Sequence, residues 1–146
     1  MHFKQILFPT DLTQRDGKAL QLATSLARKS DASLLIIHVL EAPISYGAGH
    51  RIYARQAHSL DTLDDLLHRI VPTDKTVAHE HQMLRGDPAR QIVSFAEYEQ
   101  VELIVIGTHS RSSLVRTDIG SVAQWVVRHA TCPVLIYGNP NCSNWK

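Results

Sequence analysis

The sequence predicts an α/β fold: a doubly wound, five-stranded parallel sheet in strand order 3-2-1-4-5, with helices on both faces in a Rossmann-like arrangement. Three observations predict it. Short runs rich in Ile, Leu and Val alternate with longer stretches of helical period, the pattern of repeated β-α units. Residues 33–39 (SLLIIHV) are apolar apart from Ser33 and His38, as expected of a central parallel strand buried on both faces. Parallel crossovers are right-handed, so five strands joined by helices settle most economically into an open sheet with the first and fourth strands adjacent.

The elements follow in order. Residues 5–8 form the first strand. Thr13 and Asp16 have the spacing of a capping box, and Ala19, Leu20, Ala23, Leu26 and Ala27 then recur on one helical face. Residues 33–39 are the second strand. Residues 41–51 (EAPISYGAGHR) carry a proline and two glycines and read as a mobile loop, placed to act as a flap over a ligand. Tyr53, Ala57, Leu60, Leu63, Leu67 and Ile70 resume a helical period that Pro72 ends. Residues 76–84 alternate more polar side chains and fit a third strand at a sheet edge. Gly86, Asp87 and Pro88 supply a turn, an N-cap and an N1 proline for a helix to about Gln100, with Ala89, Ile92, Val93 and Ala96 inward. Residues 103–106 are the fourth strand, Gly120-Ser121 opens a last helix to about Ala130, and Val134–Tyr137 is the fifth strand. Residues 1–138 make one domain and 139–146 a polar tail.

Composition limits the function classes. A chain of 146 residues is the common size of one domain, and 44% hydrophobic with 20% charged residues argues for a packed globule over a disordered or fibrous chain. Fifteen Lys and Arg against fourteen Asp and Glu leave none of the basic excess that a nucleic-acid binder carries. The apolar runs are too short for a signal sequence or a membrane span, so a cytoplasmic location is expected. Cys132 and Cys142 form no C-x-x-C pair, and reduced thiols are the default.

In the predicted sheet the loops after the first and fourth strands diverge to opposite faces, which is where such folds place ligands. Residues 9–11 and 107–121 therefore matter most. The latter read GTHSRSSLVRTDIGS. Gly107 allows a tight turn off the strand, Gly120-Ser121 offers unpaired amides and a hydroxyl at the positive end of a helix, and His109, Arg111 and Arg116 add donors. This chemistry suits phosphate; an ordinary strand-to-helix loop is the plainer alternative. Asp11, at a strand's carboxyl end, is placed to accept hydroxyl donors of a ligand or to serve as a helix N-terminal charge near Thr13.

The residues 107–112 (GTHSRS), 120–123 (GSVA) and 129–135 (HATCPVL) resemble the C-terminal signature of the universal stress proteins. Residues 6–11 (ILFPTD), the pair His38-Val39 and the turn 86–88 (GDP) extend the resemblance over nearly the whole chain. Nucleotide-binding members carry G-x2-G-x9-G-[S/T]. Gly107 and Gly120-Ser121 keep that spacing, while Ser110 stands where the second glycine would be. The resemblance implies ATP or AMP as ligand, with magnesium as an optional companion. Pro9, Thr10 and Asp11 would border adenine and ribose, the Val39 main chain would read the adenine edge, and Gly107, Ser110, Gly120, Ser121 and Val122 would surround ribose and phosphates, with His109 and Arg111 in the same loop. It also implies a homodimer, to which the apolar fifth strand Val134–Tyr137 points independently through its exposed edge.

Weaker signals have plainer readings. Gly47-Ala48-Gly49 starts like a dinucleotide fingerprint, but Ile52 takes the third glycine's place. His79 and His81 share a strand face without a zinc-protease spacing, His38 reads as a hydrogen-bonded core histidine, and Val122, Trp125 and Val126 read as core or interface. No P-loop lysine, nucleophile elbow or cysteine motif supplies a catalytic step. The leading expectation is a dimeric nucleotide-binding regulatory protein. The alternative is a dimeric stress-response interaction protein that has lost nucleotide binding.

Overall fold

The computed structural model describes residues 2–13, 17–41, 60–108 and 120–138. Strands β1 (Gln5–Pro9), β2 (Ser33–Leu40), β3 (His79–Arg85), β4 (Leu103–Gly107) and β5 (Val134–Tyr137) pair in parallel in the expected order β3-β2-β1-β4-β5. Helices α1 (Gly17–Ser30), α2 (Leu60–His68), α3 (Pro88–Tyr98) and α4 (Ser121–His129) cover both faces.

The period of two along each strand divides the core. Ile6, Phe8, Leu34, Ile36, Leu103 and Val105 face one layer with Ala19, Ala23 and Ala27 of α1 and Leu67 of α2. Leu7, Leu35, Ile37, Val39, Ile104 and Ile106 face the other with Ile92, Val93 and Ala96 of α3 and Ala123 and Val126 of α4. Ile6, Leu7 and Phe8 are fully buried, each contributing about 1.5–3 kcal/mol, so β1 is a rigid base for the loop that leaves it.

Local chemistry sets the helix ends. Asp87 accepts a hydrogen bond from the Arg90 amide at 3.1 Å and Pro88 occupies the first turn, as the sequence predicts. Gly86 has φ +131°, which only glycine adopts easily, and a Cβ there would also meet the Gln91 side chain. At the other end of α3 the Val101 amide reaches back to the Ala96 carbonyl at 2.8 Å, with Gln100 left-handed at φ +55°. The same closure ends α1, where Ala32 donates to Ala27 at 2.8 Å and Asp31 has φ +55°.

Some boundaries differ from expectation. The third strand begins at His79, not residue 76, because Asp74 accepts from the Thr76 amide at 2.8 Å and the Thr76 hydroxyl at 2.6 Å, spending those residues on a turn. Strand β3 lies at a sheet edge as expected. Helix α2 closes at His68, before Ile70, whose amide makes a tighter bond to Leu67 at 3.0 Å. Helix α3 stops at Tyr98 and α4 at His129. Asp16, the expected flap at 41–51 beyond Glu41, Tyr53, Ala57 and the tail from 139 lie outside the described residues.

Candidate functional site

Strand β1 pairs with β2 on one side and β4 on the other. The helix after β1 packs on the first core layer and the helix after β4 on the second. The chain therefore passes from these neighbouring strands to helices on opposite faces, which makes the carboxyl ends of β1 and β4 the topological switch point, where such sheets form a crevice. Because each helix runs back against the strands, the N-terminus of α4 lies at the carboxyl edge of the sheet.

The loop after β1 is tightly organised. Thr10 is buried, and its amide donates to the Ile37 carbonyl at 2.8 Å. Its hydroxyl accepts from the Leu12 amide at 3.1 Å. Asp11, half-buried, accepts from the Thr13 amide at 2.8 Å and the Thr13 hydroxyl at 2.5 Å through one carboxylate oxygen. The Thr13 hydroxyl thus serves Asp11, and the Asp16 partner of the expected capping box is outside the described residues. Leu12 sits at φ +67°, unusual for a branched residue, with its side chain against the first core layer.

On the other side of the crevice Gly107 ends β4, level with Tyr137, and the Thr108 amide continues the ladder to the Tyr137 carbonyl at 3.1 Å. Gly120 precedes α4 in an extended conformation (φ −51°, ψ 150°) and, lacking a side chain, cannot cap the first amides itself. Ser121 is exposed at the helix start, and Val122 is half-buried against the second core layer. Pro9 pairs with Ile37, and Val39 is buried opposite Leu84. Pro9, Thr10, Asp11, Val39, Gly107, Gly120, Ser121 and Val122 thus belong to strand ends or a helix start at one edge of the sheet. His109, Ser110, Arg111 and Arg116 lie outside the described residues.

His38, expected as a core histidine, is half-buried at the end of β2, and its Nδ1 lies 2.8 Å from the Thr10 carbonyl oxygen. Its place in an apolar strand gave the sequence signal, but not the partner. Another feature with no sequence signal is an open polar cleft of about 410 Å³ between α1 and residues 73–75, where Arg28 and Asp74 pair at 3.0 Å. Trp125 stacks on His129 with ring centroids 3.8 Å apart, and the Arg90 guanidinium lies 6.0 Å from the Trp125 ring, so this side chain knits α3 to α4 at the surface. His79 and His81 meet edge-on at 5.2 Å, and His81 Nε2 lies 2.6 Å from the Ile70 carbonyl oxygen. Among the described residues no group of three His, Cys, Asp or Glu side chains is placed to hold a metal ion. Burial pushes the Cys132 thiol up from its ordinary value, opposite to what a nucleophilic cysteine needs.

The family model for the universal stress protein family matches residues 2–138. Universal stress protein MJ0531 of Methanocaldococcus jannaschii is 32% identical over 148 residues, covering 94% of this chain and 84% of that protein. Among solved structures, hypothetical protein MJ0577 aligns with a TM-score of 0.79 at 23% identity, over 97% of this chain and 99% of that one. A universal stress protein in complex with cAMP aligns at 0.62 (24% identity, 94% and 98% covered). One from Archaeoglobus fulgidus in complex with dAMP aligns at 0.59 (23% identity, 93% and 98% covered). These structural likenesses speak for the fold, and the family match, which spans all five strands and the four helices described here, makes the chain a member of the universal stress protein family.

Proposed function

We propose that the protein binds an adenine nucleotide, ATP or AMP, at the switch point and acts as a dimeric regulatory protein in a stress response, with slow ATP hydrolysis at most. The observation that carries this reading is that the ordered Thr10-Asp11 turn follows β1 while the helix start with Gly120 as N-cap follows the neighbouring strand β4, both at the carboxyl edge of the sheet. A carboxylate suits ribose hydroxyls, and helix-terminal amides with a neighbouring serine hydroxyl suit phosphate oxygens. In this reading Pro9, Thr10 and Asp11 border adenine and ribose, and the Val39 main chain meets the adenine edge. Gly107, Gly120, Ser121 and Val122, with His109, Ser110 and Arg111, surround ribose and phosphates. Magnesium would enter with the phosphates of ATP, whose hard oxygens are its preferred ligands. The complexes of structurally similar proteins with cAMP and dAMP support an adenine nucleotide.

The dimer would form through β5, an edge strand whose four residues are half-buried in the single chain. Residues 1–138 would act as one domain, with 139–146 as a tail. No helix among the described residues is long and apolar enough to cross a membrane, and the reading places the protein in the cytoplasm.

Ser110 favours a second reading, a dimeric interaction protein without nucleotide. Calorimetry with ATP on the parent, Ser110→Gly and Asp11→Ala separates the two. Parent binding is expected at about micromolar affinity or weaker. Asp11→Ala should weaken it, while Ser110→Gly tightens it if the serine Cβ crowds the phosphate loop and weakens it if the hydroxyl donates. No binding to either the parent or Ser110→Gly at millimolar ATP would hand the case to the second reading.

A further inference from the structure

Strand β1 is held unequally at its carboxyl end. Its pairing with β4 is made at Ile6 and Leu7, whereas its pairing with β2 runs on through Pro9 and then through the Thr10 amide to the Ile37 carbonyl. The turn that follows is therefore tied to β2 beyond the point where the pairing of β1 with β4 ends. That turn is conformationally demanding, since Leu12 is left-handed and both Thr10 and Asp11 accept bonds from amides two residues on.

One β2 side chain reaches into this turn. The His38 Nδ1 lies 2.8 Å from the Thr10 carbonyl oxygen. A carbonyl oxygen can only accept, so Nδ1 carries the hydrogen and donates, which fixes the ring's tautomer when it is neutral. Thr10 is thereby bonded through its amide, its hydroxyl and its carbonyl, two of these to β2.

We infer that His38 is a positioning residue, a latch from β2 that holds the Thr10-Asp11 turn in its ligand-ready shape and so sets nucleotide affinity through Thr10 rather than by contact with the nucleotide. The affinity half of this inference rests on the nucleotide reading above. The latch half concerns the ligand-free protein and stands apart from it.

The test uses the full chain and has three readouts. In the ligand-free parent, ¹⁵N NMR of the imidazole should show the Nδ1–H tautomer; an Nε2–H tautomer overturns the latch and needs no variant. Amide exchange at Leu12 and Thr13 should speed up roughly tenfold in His38→Leu. It should stay within about threefold of the parent in His38→Asn, whose amide nitrogen occupies the same branch position as Nδ1. Equal exchange in the parent and His38→Leu refutes the latch. For affinity, His38→Leu should weaken ATP binding roughly tenfold with His38→Asn near the parent, and in an Asp11→Ala background His38→Leu should add less than about twofold. A full tenfold effect in that background means His38 does not act through the turn, and the inference fails. If the parent binds no ATP, the nucleotide reading and the affinity half fall together, while the tautomer and exchange data still decide the latch.

Discussion

Glycine at Gln100 should stabilise the protein, and glycine at Leu12 should destabilise it, although both residues are left-handed. Their φ values are +55° and +67°. The left-handed region costs a residue with a Cβ about 1–2 kcal/mol, which glycine avoids. Against this, glycine makes the unfolded chain freer, a loss of about 0.4–1 kcal/mol. Gln100 is exposed and follows the end of α3, so little else changes and the net gain is about 0.5–1 kcal/mol. Leu12 gains the same relief, but its half-buried side chain packs against the layer containing Ile6 and Phe8. Removing that side chain costs about 1–2 kcal/mol, part of the value of a fully buried leucine, so the sign reverses to a net loss of roughly 0.5–1 kcal/mol. Urea unfolding with an unchanged m-value would report both, and the melting temperature of Gln100→Gly should rise by about 1–4 °C. Gln100→Ala keeps the Cβ and should match the parent. If Gln100→Gly and Gln100→Ala prove equally stable, the strain argument is wrong; if Leu12→Gly is as stable as the parent, the packing of Leu12 has been overvalued.

Two further outcomes are expected. Light scattering at micromolar concentration should find a dimer for the parent and a monomer for Ile136→Lys, since the lysine places a charge on the half-buried β5 edge; a monomeric parent, or a dimer indifferent to the lysine, removes β5 as the interface. The hydrogen bonds from the Thr76 hydroxyl and amide, with the Arg28 guanidinium beside them, hold the Asp74 carboxyl below the usual carboxylate range. Its folded value lies below its unfolded one, so its contribution is complete above an unfolded pKa of about 3.9 and fades as pH falls through the folded value. The stability advantage of the parent over Asp74→Asn at neutral pH should therefore shrink on acidification to about pH 2.5, and an advantage constant across that range contradicts the assignment.

The five strands, the faces of the helices and the cap at Asp87-Pro88 were legible in the residues alone. Each rests on a local signal: the period of side chains along the chain, or the turn chemistry of two or three neighbours. Strand β2 was legible because an apolar run interrupted by a single histidine has few other homes. The same locality hid the late start of β3, where the residue pattern from 76 onward alternates like a strand but Asp74 draws Thr76 into a turn. Of the candidate site, the residue types and their spacing were legible at 9–11 and 120–122. Which groups meet across the sheet is settled only when the elements pack. His38 finds the Thr10 carbonyl 28 residues away, and Thr24 in α1 accepts from the Thr73 amide 49 residues away. Such contacts depend on the register that brings Pro9 level with Ile37, and register is set by packing both faces of the sheet at once, not by any one segment.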